Sequence, residues 1–91
     1  SVEDYIKISI SKLKSNLGIN NIEVSEEMFN GNKGTVMHYF TKANNKNASI
    51  YQVIFANNDT SYIFTLWGYE NDSEENLSAL KNALNTVKFV N

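Results

Sequence analysis

The chain contains no cysteine, no arginine and no proline, and each absence removes something. Without cysteine there is no disulfide framework, no thiolate metal site and no thiol nucleophile. Without arginine all eight basic residues are lysine, and the net charge of -2 offers no field to a polyanion. Bidentate readout of guanine and stacking on bases are mainly arginine tasks, so no nucleic-acid partner is expected. Without proline nothing interrupts a β-ladder. Histidine occurs once, at His38, with no second imidazole to share a metal. No run approaches the 18 apolar residues of a membrane span, and no signal-peptide core is present.

What is present fits one folded domain of 91 residues, 1–91, with 42 % hydrophobic, 12 % aromatic and 20 % charged residues. That is too apolar for a disordered segment. Ser1 opens directly onto a helical pattern without an initiator methionine, which suggests excision from a longer secreted or anchored precursor. Asn, Lys and Ile are abundant, so the Asn-x-Ser/Thr sequons at Asn47, Asn58, Asn71 and Asn76 are expected by chance.

In "SVEDYIKISISKLKSNLG" apolar residues at Val2, Ile6, Ile10, Leu13 and Leu17 line one helical face. Ser1 can cap the start, Glu3 and Asp4 suit the positive end of the dipole, and Gly18 supplies a left-handed stop. From residue 21 to 69 the period changes to two. Four strands are predicted, over 21–29, 34–42, 48–57 and 60–69. Asn30-Gly31, Asn44-Asn45 and Asn57-Asn58-Asp59 lie between them, residues that tolerate positive φ or form side-chain turns.

The third and fourth strands are apolar on both sides. Tyr51, Val53 and Phe55 alternate with Ile50 and Ile54, and Tyr62, Phe64 and Leu66 with Ile63 and Trp67, so both faces of the sheet should be covered at least in part. The last segment, "DSEENLSALKNALNTVKFV", places Leu77, Leu80, Leu84 and Val87 at helical spacing behind an Asp72-to-Glu75 capping-box pattern. The fold class is α+β: a helix, a four-stranded antiparallel meander and a C-terminal helix, with the helices packed on the sheet.

"GNKGT", residues 31–35, carries the residue types of a phosphate loop, but its lysine precedes the second glycine and a strand follows where a helix is needed. It reads as the turn of a hairpin. The acidic run "ENDSEEN", residues 70–76, lacks the central glycine and distal glutamate of an EF-hand loop and suits a helix start. No metal or cofactor is therefore expected. His38 shares its strand face with Val36 and Phe40 and could be a general base, a metal ligand or a packed polar residue; no serine sits in a nucleophile-elbow context, and the packed, structural role is the one expected. Trp67 and Tyr69 share a face of the fourth strand and could form a rigid aromatic platform. With His38, they are the candidate binding surface.

Three stretches together resemble the PsbP-like group, which includes DcrB-type bacterial lipoproteins: the helix "YIKISISKLKSNL", the hairpin "FNGNKGTVMHYF", and the strand "SYIFTLWGYE" with a helix ending in "VKFV". The resemblance spans nearly the whole chain. It implies a non-enzymatic, extracytoplasmic domain that engages a protein partner, tethered through a segment outside the chain. Members of that group carry an additional strand pair before the first helix, which this chain lacks. "QVIFA" is similar to the inhibitory hairpin loop of cystatin-like folds, but it lies inside a strand, and protease inhibition is not expected. The alternative from the residues alone is a small ligand-binding enzyme or hydrolase using His38 in a pocket beside the aromatic strand.

Overall fold

A computed structural model of the chain describes residues 2–57 and 59–89. The elements run α1 (Val2–Leu17), β1 (Ile22–Phe29), β2 (Asn32–Ala43), β3 (Lys46–Asn57), β4 (Thr60–Tyr69), a 3-10 turn (Glu70–Asp72) and α2 (Ser73–Leu84). The four strands form one antiparallel sheet in sequence order, β1-β2-β3-β4.

The turns set this topology. Asn30 and Gly31 have φ of 51° and 79°, and Asn44 and Asn45 of 54° and 63°, so both central residues of each reversal are left-handed. Such primed turns match the twist of the flanking strands. Asp59 closes the third reversal at φ 64°, and its neighbour Asn58 lies outside the described residues. Each strand is thereby locked to the next, with Phe29 opposite Asn32 and Ala43 opposite Lys46 at the turn ends.

The register assigns every side chain to one of two faces. On the first, Ile22, Tyr39, Ile50 and Trp67 form one row, and Val24, Met37, Gln52 and Thr65 the next. On the second, Glu23, His38, Tyr51 and Leu66 align, followed by Ser25, Val36, Val53 and Phe64. α2 covers the second face: Leu84 joins Phe29, Val36, Val53 and Phe55 in the buried core, with Leu80, Val87 and Phe89 against it. α1 lies on the first, where Val2 and Ile6 face Val24 and Thr35 and where Met37, Ile50 and Ile54 are buried. The expected covering of both faces is what the structure has.

Three details differ from the sequence reading. Leu17, counted on the apolar face of α1, is 65 % exposed and borders an open cleft with Phe40 and Thr41 rather than packing into the core. Gly18 does end α1 at φ 65°, with the Ile19 amide donating back to the Leu13 carbonyl at 3.1 Å. The capping box does not form: Asp72 precedes α2 but makes no side-chain cap bond. α2 also stops at Leu84, short of Val87. The Thr86 and Val87 amides bond to carbonyls three residues back, and the chain then leaves the helix.

The tail that follows is held by the first hairpin. The Val87 carbonyl accepts from Asn30 Nδ2 at 2.9 Å and from Asn32 Nδ2 at 3.1 Å, and Asn85 Oδ1 accepts from the Asn30 amide at 3.2 Å. Phe89 then packs on Phe55 and Tyr62 at ring separations of 5.6 and 5.1 Å. The proposed Ser1 cap and the final Val90 lie outside the described residues.

Candidate functional site

The structure divides the three candidate residues between opposite faces. Trp67 and Tyr69 stand together on the α1 face, and His38 stands on the α2 face. They cannot form one site.

His38 is placed by the middle of β2, directly opposite Tyr51. Its ring stacks on Tyr51 with centroids 4.0 Å apart and meets the edge of Phe40 at 4.9 Å. Two polar groups flank it. Glu23 Oε2 lies 3.9 Å from Nδ1, and Ser49 Oγ lies 3.4 Å from Nε2. Burial holds the imidazole below its ordinary pKa of 6.5, outweighing the opposite pull of Glu23, so the ring is mainly neutral at neutral pH. Beside it, between β1 and α2, is a cavity of about 200 Å³ lined by Glu23, Ser25, His38, Tyr51 and the Glu27–Lys81 ion pair, whose atoms meet at 3.1 Å.

Glu23, His38 and Ser49 thus follow the order of an acid–base–nucleophile row. The register sets Glu23 opposite His38, but Ser49 lies opposite Phe40 and reaches the ring only diagonally, which pattern alone could not show. The row is poorly suited to acyl transfer. Ser49 is 2 % exposed, so its hydroxyl cannot reach a substrate carbonyl, and the 3.4 Å gap to Nε2 is long for the proton transfer that would activate it. The arrangement packs a polar ring within an aromatic cluster.

The other face offers a different surface. Trp67 meets Tyr69 edge-on at 5.1 Å and is 48 % exposed. Tyr69 is braced from the β2–β3 turn, with Asn44 Nδ2 donating to its hydroxyl at 3.3 Å and the Lys46 ammonium 5.5 Å from its ring centre. Asn47 also donates to Glu70 at 2.9 Å just beyond the strand. Ile63, on the same face of β4, is exposed as well. Tyr69 is thus held at its hydroxyl and ring, and Trp67 leans on it while staying open to solvent, so the pair presents apolar area.

The acidic run 70–76 divides between the 3-10 turn and the start of α2. Among the described residues no group of three or more His, Asp or Glu side chains gathers in a way that could hold a metal ion.

These features define the class: an α+β domain in which a four-stranded antiparallel meander carries a helix on each face. No protein-family model and no curated protein matches the chain. Among solved structures it is similar to PA94 from Pseudomonas aeruginosa, a protein of unknown function, at 15 % identity and a TM-score of 0.75. All of this chain and 64 % of that one are covered, so the chain spans less than two thirds of its structural relative. At that identity the likeness is one of fold.

Proposed function

We propose that the chain is a non-enzymatic accessory or binding domain of a bacterial cell-envelope protein, engaging a protein partner through the aromatic side of β4. The observation that carries this reading is Trp67, nearly half exposed on β4 and edge-on to Tyr69, whose hydroxyl is held by Asn44. Exposed aromatic rings on a rigid strand are the residue types that anchor protein contacts. The envelope location is supported by the resemblance to the PsbP-like group, and a tether would lie outside this chain.

One observation favours a second reading, a small ligand-binding enzyme or hydrolase using His38: Glu23 and His38 line a cavity, with Ser49 behind the ring. The sealed Ser49 hydroxyl weighs against it.

Affinity capture with the purified domain separates the two. Envelope and cytosolic fractions of the host cell would be passed over wild type, Trp67→Ala and His38→Gln. The binding reading expects capture from the envelope fraction, lost with Trp67→Ala and kept with His38→Gln. Capture that depends on His38 and not on Trp67, or ester hydrolysis abolished by His38→Gln, would reverse the order of the two readings.

A further inference from the structure

The two outer strands of the sheet are unequally protected. A free strand edge is a template for another strand, and proteins guard it with charge, proline or bulges. β1 is guarded: Glu23, Glu26 and Glu27 fall within its eight residues. β4 is not. Its ten residues, "TSYIFTLWGY", contain no charged side chain and no proline, and they pair with β3 in unbroken register. None of the ten is buried, and Tyr62, Ile63 and Trp67 are substantially exposed along it. Among the described residues no strand pairs with its outer side.

The hairpin geometry says which groups are offered. Asn57 and Thr60 flank a two-residue connection and so form a hydrogen-bonded pair. Even-numbered residues of β4 therefore bond inward to β3. Ser61, Ile63, Thr65, Trp67 and Tyr69 turn their N–H and C=O groups outward.

We propose that β4 pairs antiparallel with β4 of a second copy of this chain, about a twofold axis at Thr65, to give one continuous sheet. This rests on the reading of the β4 surface as a contact surface and names its partner. Directly opposed residues of antiparallel strands share a face. With Thr65 opposite its own counterpart, all five outward-facing residues of each copy find partners. The same register sets Ile63 opposite the copy's Trp67, and Trp67 opposite the copy's Ile63, so exposed apolar side chains meet twice across the axis. On the other face Phe64 meets the copy's Leu66. The sequence is in this sense complementary to its own reverse, which favours a second copy over an unrelated peptide. The edges left over are two β1 strands whose carboxylates oppose further addition, so assembly closes at two.

Sedimentation velocity from about 1 µM to about 1 mM chain tests this directly. The expected result is a mass rising from the 10.3 kDa of one chain towards that of a dimer. Thr65→Lys sets two ammonium groups opposite each other at an exposed position; it should weaken the dimer at least ~10-fold and leave the far-ultraviolet circular dichroism unchanged. A register test covers the case in which that variant misfolds: Ile63→Glu and Trp67→Lys should each weaken pairing, and the double variant should restore it, because the introduced charges face one another. A single-chain mass at every concentration, growth beyond two chains, a Thr65→Lys dimer as tight as wild type, or a double variant no tighter than the singles would each overturn the proposal. Because Trp67 and Tyr69 are intact in Thr65→Lys, partner capture by that monomeric variant tests the preceding reading separately.

Discussion

The imidazole of His38 lies flat on the ring of Tyr51, with centroids 4.0 Å apart and planes within 1° of parallel. The two residues are direct cross-strand partners, and Phe40 closes the third side. The only titrating ring in the neutral range is thus built into a wall of aromatic carbon, which keeps it neutral and turns it into a reporter of folding.

A pH dependence follows. Folding lowers the His38 pKa, so as the pH falls through about 6.5 the unfolded chain takes up a proton before the folded one does. The stabilisation from the neutral, packed ring is present above that pH and is lost as the pH falls towards the folded pKa. Thermal melts between about pH 7.5 and about pH 5.5 should show a declining Tm, and His38→Gln should flatten the decline. An unchanged slope in the variant would assign the effect to other groups.

Gly34 should resist substitution. A Cβ there would stand 2.9 Å from Val53 Cγ1 and 3.1 Å from the Phe29 ring, both fixed in the buried core. Phe29 occupies the space that a side chain at 34 would need. Gly34→Ala is expected to cost about 1–3 kcal/mol, read from the urea midpoint. A loss within experimental error would mean that Phe29 can swing aside freely.

The turn at Asn44-Asn45 predicts a pair of opposite effects. Asn45 holds φ at 63°, where a β-branched side chain clashes and glycine does not. Asn45→Val should cost about 1–2 kcal/mol, and Asn45→Gly should add up to about 1 kcal/mol. Equal stability of the two variants would contradict the left-handed turn.

Gln52 marks a flaw that can be repaired. It sits between Met37 and Thr65 on the face beneath α1, and among the described residues its buried side-chain oxygen has no hydrogen-bond partner. Methionine matches its shape without the polar amide. Gln52→Met is expected to raise stability by about 1 kcal/mol in the same urea assay. Destabilisation instead would show that the amide is solvated in the fold.

The strands and their order were legible because two signals coincide: period-two apolar patterning, and asparagine-rich reversals that tolerate positive φ. The end of α2 was not, since Leu84 and Val87 keep helical spacing and the core rewards that spacing whether or not the backbone stays helical. The weak helix formers Asn85, Thr86 and Val87 are the local hint that it does not. The separation of His38 from Trp67 was available in principle. Two-residue turns fix the register, and following it strand by strand carries His38 to Tyr51 and Leu66, never to Trp67. The same counting sets Glu23 opposite His38, whereas the approach of Ser49 to the ring was beyond reach, because Ser49 lies opposite Phe40 and meets His38 only through side-chain directions.

The asparagine clasp on the tail has a kinetic meaning. Every strand pairs with its neighbour in sequence, so the sheet can assemble one hairpin after another with little loop closure, the circumstance in which chains fold quickly. The bonds from Asn30 to Asn85 and Val87 span 55 and 57 residues and can form only when the far end of the chain arrives. Pulse-labelled hydrogen exchange should therefore find the β2–β3 amides protected before the Asn30 amide; simultaneous protection would make the tail part of the nucleus. On this account the hairpin turn that comes first along the chain is the last to be locked.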